Sequence, residues 1–249
     1  MTGNALHLYS RAASRRGFLA AALSAGVVRA EGSCSPARYG TPYKYGKLIL
    51  AASGEEGAYD RVSVDCPFVF RHGGKFHLTF VAFDGVGYQT GLATSDDLLH
   101  WRKQGVIFRR QPSSPLLRYN AAMNWILREN GLRSPGNLLP VDGYFLGAYH
   151  AYPNAGYEQG AAVIGLCRSR DLLHWETGEP ALLPGDGAPW ERGGLYKPCL
   201  LKYQDTYYLF YNAKNQTAGS WNEQTGVAYS KDLNTWSRYP GKPILRNDP

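Results

Sequence analysis

The chain of 249 residues is 44% hydrophobic and 19% charged, with 18 Tyr and 6 Trp; this excludes a disordered tail or fibrous repeat and accommodates one large strand-rich domain. Residues 1–30 hold four arginines and no acids, so removing them lowers the net charge from +7 to +3. No Lys/Arg cluster tracks a phosphate backbone, and nucleic acid is not an expected partner.

In chain order, Ser14-Arg15-Arg16-Gly17-Phe18-Leu19 leads into the apolar run Ala20–Val28 and the small-residue site Val28-Arg29-Ala30. A paired arginine, a short apolar stretch and a small-residue end are the parts of a twin-arginine export signal. The run falls short of the roughly 20 residues that span a bilayer. Residues 1–30 are therefore expected to be a signal peptide and 31–45 a linker. The mature chain is expected in the periplasm or outside a bacterial cell, a monomer with no membrane attachment. Cys34, Cys66, Cys167 and Cys199 form no Cys-x-x-Cys pair; no metal site and no cofactor is expected.

Beyond residue 45 the chain repeats itself. Thr90–Trp101, Ile164–Trp175 and Thr225–Trp236 share a Gly, a small apolar stretch, Ser-x-Asp-Leu and a Trp. Each reads as a strand, a polar turn and a Trp opening the next strand, with Asp97, Asp171 and Asp232 assigned to turns. Two strand signals precede each copy. They are Cys66–Phe70 and Phe76–Phe83, then Met123–Leu127 and Tyr144–Tyr149, then Pro198–Lys202 and Thr206–Tyr211. The middle pair has a longer turn, around Glu129–Gly143. Each unit is thus predicted to be a four-stranded antiparallel blade of an all-β propeller. The blades fall near 62–110, 120–184 and 190–242, and 243–249 reads as the start of a fourth. Leu48–Ala51 is a candidate closing strand. About three blades of an expected five are present, so the chain reads as truncated.

The run Asp65-Cys66-Pro67-Phe68-Val69-Phe70, followed by Gly74–Leu78 and the Ser-x-Asp-Leu-x-x-Trp segments, resembles the five-bladed propeller glycosidases of glycoside hydrolase families 43, 32 and 130. The likeness covers roughly residues 46–249. It implies a glycosidase acting on an oligo- or polysaccharide through paired carboxylates, with Asp65 as general base or nucleophile. Where several relatives place a Glu before the innermost strand of the third blade, this chain has Tyr196-Lys197-Pro198, and the nearest acid is Glu191.

Propeller geometry confines chemistry to loops that enter each innermost strand and loops that join second and third strands. Asp65 and Glu191 are the expected catalytic pair, with Glu158 and Glu223 as rivals. Candidate sugar-binding residues are Asp84, Asn124, Trp125, His150, Tyr152, Asn154, Lys197, Asn212, Lys214 and Trp221. This mixture of flat rings, amides and cations is what sugar C–H faces and hydroxyls require. Lys197 is open to two readings, as a partner for Asp65 or as a contact for an anionic sugar. The alternatives from other classes are a carbohydrate-binding propeller that does not cleave and an inactive truncated relative.

Overall fold

The computed structural model describes residues 44–215 and 222–246. The expected signal peptide, most of the linker, Cys34 and Trp221 lie outside the described residues. Leu48–Pro249 forms one compact unit. Its strands are β1 (Ser63–His72), β2 (Lys75–Phe83), β3 (Tyr88–Ser95), β4 (Arg102–Phe108), β5 (Ala122–Ile126), β6 (Phe145–Ala151), β7 (Val163–Ser169), β8 (Glu176–Leu182), β9 (Gly194–Tyr203), β10 (Thr206–Lys214), β11 (Glu223–Ser230) and β12 (Ser237–Arg238). They form three antiparallel sheets in the orders β1-β2-β3-β4, β5-β6-β7-β8 and β9-β10-β11-β12. These are the expected blades of a partial propeller.

Three local devices recur and explain why this sequence makes blades. The first is the hairpin between first and second strands, closed by two residues each time. Gly73 and Gly74, then Asp142 and Gly143, have positive φ at both central positions, the backbone a tight right-twisted hairpin demands. The long middle turn is mostly ladder: Arg128 bridges Leu138, and Val141 bridges Tyr144.

A second device pairs an aromatic on the second strand with a glycine on the third: Phe80 opposite Gly91, Tyr149 opposite Gly165, and Tyr211 opposite Gly226. A Cβ on these glycines would lie 2.5, 2.2 and 2.6 Å from the facing ring. The repeated Gly is therefore the floor on which the ring lies.

The repeated Ser-x-Asp-Leu-x-x-Trp is the third device. In the first copy, Ser95 Oγ accepts from the N–H groups of Asp97 and Leu98, and Asp97 Oδ1 accepts from Leu99 and His100. Trp101 Nε1 then donates to the Leu98 carbonyl, and Trp175 and Trp236 repeat the bond to Leu172 and Leu233. All three leucines sit at φ 65–67°, so the carboxylate and the indole together hold a left-handed residue that is not glycine. The turn assignment of the three aspartates is borne out.

Blades stack in one direction. Strand β5 packs on β2 and β3, and β9 packs on β6 and β7. The first interface buries Leu92, Phe108, Met123 and Tyr149, and the second buries Leu146, Ile164, Leu195, Leu200 and Tyr211. Each fully buried aliphatic or aromatic side chain contributes about 1.5–3 kcal/mol. Around the axis, Phe68, Phe70, Ile126 and Leu138 form a further cluster with Trp125.

Two expectations are corrected. Leu48–Ala51 forms no strand; Leu50 instead packs on Leu78, Phe80 and Ala93 of the first blade. Leu245 pairs with Thr225, as Phe108 pairs with Thr90 and Leu182 with Ile164. The Pro243–Leu245 stretch thus completes the outer strand of the third blade and does not open a fourth.

Candidate active site

Each innermost strand is bulged near its entry. The ladder skips between Asp65 and Phe68 on β1, opposite Met123 to Trp125 on β5, and opposite Tyr196 to Cys199 on β9. The residues thrown out of register are Cys66 with Pro67, Asn124, and Lys197 with Pro198. Cys66 and Lys197 take φ of 50° and 49°, which a side chain adopts only when its surroundings impose it. Register makes Asp65, Ala122 and Tyr196 equivalent, each facing the residue after the second-strand ring, so the first blade alone presents a carboxylate at this level.

The bulges meet around the axis. Asn124 Nδ2 donates to the Pro198 carbonyl at 3.2 Å. Its Oδ1 lies 3.4 Å from His150 Nδ1, which assigns the ring proton to that nitrogen. Burial first, and then Lys197, lower His150 to about 3 against the opposing pull of Asp65; the ring is neutral. Asp65 is exposed, and its Oδ1 accepts from the Cys66 N–H at 2.6 Å. The Cys66 thiol is pushed up to about 11, chiefly by burial and then by Asp65, with Lys197 opposing and Glu158 adding to the rise.

Loops between second and third strands supply the rest. Lys214 ends β10 directly opposite Glu223, the first residue of β11. Its Nζ lies 5.6 Å from the Tyr152 ring centre and 5.9 Å from that of Tyr196. Burial lowers the Lys214 ammonium, and Glu158 and Glu223 both oppose this. The phenols of Tyr152 and Tyr196 are held well above their usual range by burial foremost, and both carboxylates push each of them further. Glu158 and Glu223, remote in the chain, therefore act on the same lysine and the same two tyrosines. Tyr157, 61% exposed, stands edge-on to Phe83 and Tyr88 beside Glu158. Asn212 accepts from Thr225 Oγ1 at 3.4 Å and, with Glu223, Gln224 and Thr225, lines a cavity of about 240 Å³.

Close backbone approaches fix these loops. A Cβ on Gly194 would lie 2.8 Å from the Ala162 nitrogen, and one on Gly193 2.1 Å from the Asn215 carbonyl oxygen. Asn120, fully buried, accepts from the Tyr88 N–H and donates to the carbonyls of Tyr152 and Asn154. It ties the entry of the second blade to loops from two blades. Asn120, Tyr88 and Tyr196 escaped the sequence reading. Their roles come from contacts between residues remote in the chain, Asn120 with Tyr88 and Tyr152 and Tyr196 with Lys214, and no motif records them.

Four expected site residues make contacts within the fold. Glu191 is 2% exposed; it accepts from the Tyr211 hydroxyl at 2.6 Å and the Ala188 N–H at 2.8 Å. Arg238 Nε of the outermost strand lies 3.2 Å from it. A 3₁₀ turn, Pro189–Glu191, aims this carboxylate back into the blade, so it is no partner for Asp65. Asp84 accepts from Val86 and Gly87 N–H and pairs with Arg110. Burial alone would raise this carboxyl, but those two N–H groups and Arg110 outweigh it and lower it. Trp125 packs 4.8 Å from Phe68 and donates to the Leu200 carbonyl, joining three innermost strands. Asn154 shapes its loop through backbone bonds to Gln159 and Asn120. A cavity of about 710 Å³ is lined by Tyr144, Arg168, Glu176 and Asp232 at the outer edge of blades two and three. It includes none of the candidate carboxylates.

Comparison with known proteins agrees with this architecture. Residues 128–249 match the family described as glycosyl hydrolases family 32 N-terminal domain. A solved structure titled "Glycoside hydrolase" is 28% identical with a TM-score of 0.73, covering 84% of this chain and 64% of its own. A solved complex of BT0996 with RGII is likewise 28% identical, with a TM-score of 0.72 and the same coverage. A family 117 glycoside hydrolase from Zobellia galactanivorans, 16% identical, covers 79% of this chain and 61% of its own at a TM-score of 0.59 and shares the fold. The match thus spans 64% of the length of the first two structures. No curated protein matches it. Its described residues are three blades of a partial β-propeller, the fold of the glycoside hydrolases to which it is similar.

Proposed function

We propose that this propeller cleaves glycosidic bonds of an oligo- or polysaccharide, with Glu158 and Glu223 as the working carboxylates. The observation that carries this reading is the convergence of both glutamates on Lys214, Tyr152 and Tyr196. Glycoside cleavage needs one carboxyl to protonate the leaving oxygen and one carboxylate to activate water or attack carbon. Lys214 stands opposite Glu223 in the strand ladder and sets a cation beside the place where charge develops during cleavage. Exposed Tyr157 offers a ring face for a sugar. Asp65, with His150 and Lys197 beside it, borders the same space and positions the substrate. We also propose export by the twin-arginine route and a monomeric state, on the strength of Arg15-Arg16 and the apolar run that follows.

A second reading, sugar binding without cleavage, is favoured by Ala122 and Tyr196 standing where Asp65 stands in the first blade. A panel of aryl glycosides, assayed with and without inorganic phosphate, separates the cases. Hydrolysis independent of phosphate supports the proposal. Turnover only with phosphate converts it to phosphorolysis. Saturable sugar binding with no turnover in either arm refutes cleavage.

A further inference from the structure

Among the described residues, Lys197 is a cation on the blade-entry bulges held in no ion pair. Lys214 lies against two tyrosine rings under the influence of Glu158 and Glu223. Arg110 is paired with Asp84. Among the described residues Lys197 forms no ion pair, and its side chain is exposed. It nevertheless stands at φ 49°, on a bulge whose following carbonyl, that of Pro198, is held by Asn124 across the axis. Left-handed backbone is disfavoured for a residue with a side chain, and such strain collects at functional sites. A surface lysine with no ligand could sit in the ordinary ladder register. The bulge instead carries its ammonium toward the space shared by Cys66 and His150, both of which feel its charge.

We propose that Lys197 receives the carboxylate of an acidic sugar, making this a site for uronic-acid-bearing glycans; this inference rests on the glycosidase reading above. The chemistry favours a carboxylate over a phosphate. One ammonium with a neutral histidine nearby matches a monoanion, whereas a phosphate dianion is normally met by an arginine fork or several N–H groups. Asp65 on the facing bulge spends one oxygen on the Cys66 N–H and repels any anion that misses the lysine, so the carboxylate has one favourable place to rest.

Titration calorimetry tests this with oligosaccharides of polygalacturonate, alginate and glucuronoxylan, each beside its carboxyl-reduced form. At least one acidic oligosaccharide is expected to bind ten-fold or more tighter than its reduced counterpart, with the gap narrowing as salt rises. Lys197→Asn keeps a residue tolerant of left-handed backbone and should erase the gap by weakening the acidic ligand far more than the reduced one; Lys197→Arg should keep part of it. Unchanged thermal unfolding confirms that the variants fold. Equal binding of acidic and reduced forms, or a preference that survives in Lys197→Asn, overturns the inference. If neutral glycosides are cleaved normally in that case, the glycosidase reading stands without it; if no carbohydrate is bound or cleaved, both fall.

Discussion

Removing the Glu191 carboxylate should unfold this protein sooner without touching its chemistry. In Glu191→Ala the Tyr211 hydroxyl, the Ala188 N–H and the Arg238 guanidinium lose a shared acceptor at 2.6, 2.8 and 3.2 Å, beneath a surface where Glu191 is 2% exposed. Breaking a buried ion pair by deleting one partner costs about 3–5 kcal/mol. Arg238 retains its bond to the Leu183 carbonyl and is partly solvated, which places the cost near the lower end, about 3 kcal/mol. For a domain of this size each kcal/mol lowers the melting temperature by about 2–4 °C, so a fall of roughly 6–12 °C is expected. Glu191→Gln keeps one acceptor oxygen, which can serve Tyr211 or Ala188 but not both, while losing the charge, and should cost about 1–3 kcal/mol. Differential scanning calorimetry reads the melting temperatures, and initial rates below the lowest of them read turnover. An unchanged melting temperature in Glu191→Gln together with a hundred-fold loss of turnover would refute the structural role.

Further outcomes follow from the same geometry. Asp84 has its pKa depressed in the fold, so its stabilisation is complete above the unfolded carboxyl value of about 4 and is lost as pH falls through the folded value; melting followed from pH 5 to 3 should be flatter for Asp84→Asn than for the parent. His150, lowered to about 3, is neutral when folded and protonates in the unfolded chain below about pH 6.5. Stability should therefore decline as pH falls from about 6.5 to 5, and His150→Gln should remove that slope. Gly165→Ala would bring a methyl within 2.2 Å of the Tyr149 ring, costing about 1–3 kcal/mol in denaturant unfolding. Pairing it with Tyr149→Leu should recover part of the loss; strict additivity would contradict the aromatic-on-glycine account.

Blade architecture is legible in the sequence because its devices are local. Ser95, Asp97 and Trp101 complete a turn within seven positions, and their copies at 169–175 and 230–236 announce the period. The glycine of each copy is visible as a repeat, but its partner, a ring on the neighbouring strand, becomes clear only with the register. The site is far less legible because it is built by convergence. Nothing near Glu158 in the chain points to Glu223 or Lys214; strand pairing and blade stacking bring them together. Glu191 misleads for the same reason. Its place just before β9 points toward the axis, yet Pro189 starts a 3₁₀ turn that sends the carboxylate to Tyr211 and Arg238. Trp125 reads equally well as a sugar platform or an axial plug, and its contact with Phe68, 57 positions earlier in the chain, decides for the plug.

Comparing Glu158→Gln and Glu223→Gln with the parent on a cleaved glycoside, at matched thermal stability, tests the central claim most directly. Each substitution should lower kcat by about 100-fold or more while leaving unfolding unchanged, since neither carboxylate is buried as Glu191 is. Turnover within a few-fold of the parent in both variants would contradict the account and return the chemistry to Asp65 or to residues beyond this chain.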